Sequence, residues 1–63
     1  MTRRELLNEL WKRNDPENNR KYSFEVALSI IQFAEEDREF ENENVHIIMT
    51  RTLEGDIFEL KWK

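Results

Sequence analysis

Tyr22-Ser23-Phe24-Glu25-Val26-Ala27-Leu28-Ser29-Ile30-Ile31-Gln32-Phe33 is the stretch on which the fold turns, because it reads two ways. Tyr22, Phe24, Val26, Leu28 and Ile30 alternate with smaller or polar residues, as in a half-buried strand. On a helix, Glu25, Ser29, Gln32 and Glu36 instead line up as one polar stripe. The remaining circumference is then taken by Phe24, Val26, Ala27, Leu28, Ile30, Ile31, Phe33 and Ala34. Ser23 suits the N-cap position, with Tyr22 before it as a staple residue. The segment runs on into Ala34-Glu35-Glu36-Asp37-Arg38-Glu39, which favours helix over strand. The spacing therefore predicts a helix over about 23–40, largely buried around its circumference.

Upstream, Thr2-Arg3-Arg4-Glu5 fits a capping box, and Leu6, Leu7, Leu10 and Trp11 form one apolar stripe on a first helix. Lys12 and Arg13 fall at the end the macrodipole favours for cations, whereas Arg3 and Arg4 sit at the disfavoured end. Asn14-Asp15-Pro16 should stop this helix, because a residue before proline is pushed out of the α region. A polar connector is expected over 14–20.

Downstream, two alternating runs predict a hairpin. A turn centred on Glu54-Gly55 pairs Met49 with Leu60, Ile47 with Trp62 and Arg51 with Phe58 on an apolar face. It sets Ile48 against Lys61 and Thr50 against Glu59 on the other. Gly55, the one glycine, meets the need for positive φ. A hairpin alone is marginal. The expected fold is α+β: two helices on one face of a C-terminal antiparallel hairpin (α-α-β-β). One helix on a three-stranded meander (α-β-β-β) is the alternative if 22–33 is a strand.

The 63 residues allow one small domain over 1–63. There is no cysteine, so neither a disulfide nor a thiolate metal site can form. No apolar run approaches the roughly 18 residues of a membrane helix. The expectation is a cytoplasmic domain that engages no membrane. Net charge is −4, and residues 25–43 carry seven acids against the single base Arg38.

The parts of an active site are sparse. Ser23 and Ser29 lie in no nucleophile elbow, and one glycine cannot build a phosphate-binding loop. His46, expected on the outer strand face opposite Lys63, has no nucleophile near it. Catalytic, cofactor-binding and metal-ligating residues are all read as none; the run from Glu35 to Glu43 lacks the pattern and the glycine of a calcium loop.

Most of that acidic run reads as a solvated helix end, crowded against the macrodipole. Its functional reading is a surface for a basic protein, with Glu36, Glu39 and Glu43 as contacts. A second surface is the open hairpin face with Ile48 and Ile57, together with two outer strand edges that invite a partner or self-association. Nucleic acid is disfavoured by the negative charge, despite a basic stretch around the first helix and the Lys61-Trp62-Lys63 triplet. The leading expectation is a non-catalytic, regulatory or inhibitor-like protein-interaction domain. A chain made for its fold, with no biological task, comes second, since local and global signals largely agree.

Overall fold

The computed structural model describes residues 1–12 and 22–63. Two helices, α1 (Arg3–Lys12) and α2 (Phe24–Asp37), precede three strands, β1 (Glu39–Glu41), β2 (Val45–Thr52) and β3 (Gly55–Trp62). The strands form an antiparallel meander in the order β1-β2-β3, so the class is α+β with topology α-α-β-β-β. The expected stop at Asn14-Asp15-Pro16 and the connector over 14–20 lie outside the described residues.

The start of α1 is the capping box its sequence announces. The Glu5 N–H donates to Thr2 Oγ1 at 3.2 Å, and the Thr2 N–H donates to Glu5 Oε1 at 3.0 Å. At the start of α2, Ser23 is extended (φ −66°, ψ 160°) and its hydroxyl accepts from the Val26 N–H at 3.2 Å. Residues 22–33 are therefore helical from Phe24 onward, although the buried stripe is narrower than expected. Only Ala27, Ile30, Ile31 and Ala34 are buried, while Phe24, Val26 and Phe33 stay substantially exposed on the flanks.

α2 ends at Asp37 rather than continuing to about 40. Arg38 adopts the left-handed conformation (φ 64°, ψ 5°), which breaks the helical hydrogen-bond run and turns the chain into β1. Glu39 and the residues after it are thus not a helix end but an edge strand. Two electrostatic misfits also meet here. Arg3, a cation at the wrong end of α1, lies 3.3 Å from Glu35, an anion at the wrong end of α2. The pair is half exposed, so it offsets the macrodipole conflict more than it adds stability.

The core lies between the helices and one face of the sheet. Leu6 and Leu10 from α1, the buried stripe of α2, and Val45, Ile47, Met49 and Phe58 from the sheet form one cluster. Burying each large aliphatic or aromatic side chain contributes about 1.5–3 kcal/mol, and Phe58 is the largest of those fully enclosed. Leu7, Trp11, Tyr22, Phe40, Leu60 and Trp62 pack around the rim. Trp11 meets Phe24 edge-on at 5.2 Å, and Tyr22 stacks on Trp62 at 6.3 Å.

The hairpin register differs by two residues from the expected one. Met49 pairs with Phe58, Ile47 with Leu60, Val45 with Trp62 and Arg51 with Asp56, while Ile48 faces Glu59 and Thr50 faces Ile57. Leu53 and Glu54 form the loop between the Thr52–Gly55 pair. The Thr52 hydroxyl accepts from the Glu54 N–H at 3.2 Å and donates to the Gly55 carbonyl at 2.6 Å. The positive φ falls on Gly55 (128°), at the first position of β3 rather than inside the loop. A two-residue slip keeps every side chain on its face, so the apolar pattern could not distinguish the two registers.

Candidate interaction surface

Both helices cover the same face of the sheet, which leaves the other open. On that face Glu39, Ile48 and Glu59 form one cross-strand row, and Glu41, His46 and Lys61 form the next. Thr50 and Ile57 make a third row in the hairpin half beyond β1. Ile48 and Ile57 are diagonal neighbours and are 39% and 48% exposed. Leu53 at the hairpin tip is fully exposed.

His46 sits opposite Glu41 and Lys61, not Lys63 as the expected register implied. Its Nε2 lies 2.6 Å from Glu39 Oε2. Lys63 instead pairs with Glu41. The hydrogen bond from Lys63 and then its charge, with His46 adding a smaller pull, hold the Glu41 carboxyl below the ordinary carboxylate range. At the start of α1, the Thr2 backbone N–H and then its hydroxyl do the same for Glu5.

The acidic run is split by the fold into two groups. Glu35, Glu36 and Asp37 end α2, while Glu39 and Glu41 point onto the open face from β1. Glu43 stands exposed in the turn after β1. That turn is built by Asn42, whose Oδ1 accepts from the Asn44 and Val45 N–H groups at 2.8 Å each. Of the residues picked from sequence, Glu39 and Ile48 are brought together as a cross-strand pair. Ile57 lies diagonal to Ile48 on the same face, whereas Glu36 and Glu43 are exposed on α2 and in the turn after β1.

The two outer edges of the hairpin, expected to be open, are each covered in part. The β2 edge is taken by β1 over His46–Ile48. The β3 edge is met at Phe58 by the backbone of Met1. Among the described residues the sheet has two edge strands, β3, away from Phe58, and β1, whose Glu39 and Phe40 fall within the span expected for the second helix. Phe40, an isolated aromatic among acids, followed by Asn42-Glu43-Asn44 turn chemistry, was the available signal.

Among the described residues, no three His, Cys, Asp or Glu side chains converge as metal ligands, and no cavity opens. No helix among them is long and apolar enough to cross a membrane. Comparison of the chain with protein-family models, with curated proteins and with solved structures finds no match.

Proposed function

We propose that this chain is a non-catalytic protein-interaction domain, of regulatory or inhibitor-like character, whose partner is a basic protein. The observation that supports it is the open sheet face. Ile48 stands there between the carboxylates of Glu39 and Glu59, with Ile57 diagonal to it. An apolar centre rimmed by charge suits a contact that buries the isoleucines and selects its partner by sign. Glu36, Asp37 and Glu43 extend the negative field to one side and favour encounter with a cationic surface.

The test begins with affinity capture from a cell extract on the immobilised chain, followed by titration of the purified captured protein. Ile48→Asp with Ile57→Asp is compared with wild type, as is the triple reversal of Glu36, Glu39 and Glu43 to Lys. Far-UV circular dichroism verifies that each variant folds. The expected result is one basic protein held by wild type, with Kd raised at least about tenfold in both variants. No saturable partner for wild type, or equal affinity across all three, would overturn the reading.

A further inference from the structure

The β1 edge combines three independent features. The first is backbone polarity. The Arg38 carbonyl accepts from the Met49 N–H at 2.9 Å, and the Asn42 N–H donates to the Val45 carbonyl at 3.0 Å. Antiparallel alternation then turns Phe40 toward β2 and the N–H and C=O groups of Glu39 and Glu41 outward. No described residue pairs with those outward groups.

The second feature is an apolar flank on the helix side. Phe40 points toward the helices, and its ring stacks on that of Phe33 with centroids 6.3 Å apart. Phe33 is 54% exposed, and Val26, seven residues earlier on the same side of α2, is 45% exposed. α2 packs over β1 and β2 while α1 packs over β3, so the side of α2 away from α1 borders this edge.

The third feature is the charge on the opposite flank. Glu39 and Glu41 stand two residues apart on the open face, already beside His46 and Lys63, and Glu36, Asp37 and Glu43, all exposed, keep the flank negative.

Building on the interaction reading above, we infer that the outer edge of β1 accepts an extended segment of the partner protein as a fourth strand, in which basic and apolar side chains alternate. Side chains on an added strand point to opposite faces at successive positions. One set would lie beside Glu39 and Glu41 at cross-strand distance, where opposite charges stabilise. The other set would cover Phe40, Phe33 and Val26, removing apolar surface from water. Glu39 and Glu41 would each supply one backbone donor and one acceptor, the mode by which sheet edges capture peptides.

A second copy of this chain does not fit the edge. Pairing β1 with β1 sets Glu39 and Glu41 directly against like charges, and pairing with β3 is interrupted at Phe58, where Met1 already holds the edge.

The test uses the whole chain, 15N-labelled, titrated with a short alternating lysine–valine peptide. A control peptide of the same sequence carries N-methyl groups on the backbone nitrogens that would face β1. The expected result is a shift of the Phe33, Glu39, Phe40 and Glu41 signals. Amide exchange of Glu39 and Glu41 should slow by about tenfold or more, and the methylated peptide should lose this binding. Glu41→Pro removes an outward donor that an edge strand can spare, so it should weaken binding more than Glu41→Gln, which removes only charge. Equal binding of the methylated peptide would reduce the effect to bare charge attraction and overturn the edge site. Absence of binding would do the same. Shifts confined to Ile48 and Ile57 would move the contact to the open face and leave the interaction reading standing. Protection of Glu39 and Glu41 that grows with protein concentration alone would make the occupant a second copy. Failure of the interaction reading itself shows separately, as absence of any saturable basic partner.

Discussion

Met1 and Phe58 exchange both of their backbone hydrogen bonds. The Met1 amine donates to the Phe58 carbonyl at 2.6 Å, and the Phe58 N–H donates to the Met1 carbonyl at 2.7 Å. This is the pattern of a hydrogen-bonded antiparallel pair. Met1 therefore behaves as a one-residue strand on the outer edge of β3 and ties the start of α1 to the middle of the sheet. Phe58 is also the largest fully enclosed side chain, so the bridge holds the backbone of a core residue.

Removing Met1 should leave the backbone groups of Phe58 without these partners, at a cost of about 1–3 kcal/mol. In a domain this small each kcal/mol lowers the melting midpoint by about 4–8 °C. Acetylating the amine keeps an N–H donor but removes the charge, and should shift the midpoint much less. Calorimetry on the three forms decides the matter. Equal losses for deletion and acetylation would assign the effect to charge rather than to strand pairing.

Gly55 has φ 128°, and a Cβ placed there would meet no atom within 4 Å. The penalty for Gly55→Ala is therefore conformational rather than steric, and should be about 1 kcal/mol or more. A D-alanine introduced by chemical synthesis accepts positive φ and should keep the wild-type urea midpoint. Equal midpoints for the L- and D-alanine forms would contradict this account.

The features legible in the sequence were those written by neighbours in the chain. Thr2 and Glu5, and Ser23 and Val26, find each other within a few residues, so both helix starts could be read directly. The apolar face of the hairpin was legible from its alternation, but its register was not, because a slip of two residues leaves that alternation unchanged. β1 was hidden for a different reason. Its glutamates prolong a helix-forming run, and the break at Arg38 uses a left-handed residue that is not glycine. Everything that depends on β1 was hidden with it, including the nearness of Glu39 to His46 and to Ile48. Arg3 and Glu35 each looked misplaced because their partnership spans two helices.

Asn42 links the β1–β2 turn to the entry of α2. Besides its two backbone bonds, its Nδ2 donates to the Tyr22 hydroxyl at 3.2 Å, as does that of Asn44 at 3.4 Å. Asn42→Asp keeps the turn acceptor and loses the donor, whereas Asn42→Ala loses both. The alanine variant should cost about 1–3 kcal/mol, the aspartate variant less, and Tyr22→Phe about 0.5–1.5 kcal/mol. A double-mutant cycle of Asn42→Ala with Tyr22→Phe, in which alanine leaves no group to meet the hydroxyl, should show coupling of about 0.5 kcal/mol or more. Strict additivity in urea denaturation would mean that the side-chain link contributes nothing.

Acid should weaken the fold through Glu5 and Glu41, whose carboxyls are held below the ordinary value of 4.5 by Thr2 and by Lys63 respectively. With a depressed folded-state pKa, the unfolded chain binds more protons in the window between the two values, so stability rises with pH there. Each contribution is fully present above the ordinary value and is lost as pH falls through the depressed one. Glu41→Gln should accordingly be less stable than wild type at neutral pH, and the gap should close as pH falls below about 4.5. Glu5→Gln should follow the same course. The two sites part company in salt. Lys63 acts on Glu41 partly through its charge in an exposed contact, whereas Glu5 is held chiefly by hydrogen bonding from the neutral Thr2. High salt should therefore shrink the Glu41→Gln deficit more than the Glu5→Gln deficit. Urea midpoints measured from pH 7 to pH 3 at low and high salt test this. A Glu41→Gln deficit that persists undiminished below the carboxylate range would locate its cause in lost packing rather than in the ionised pair.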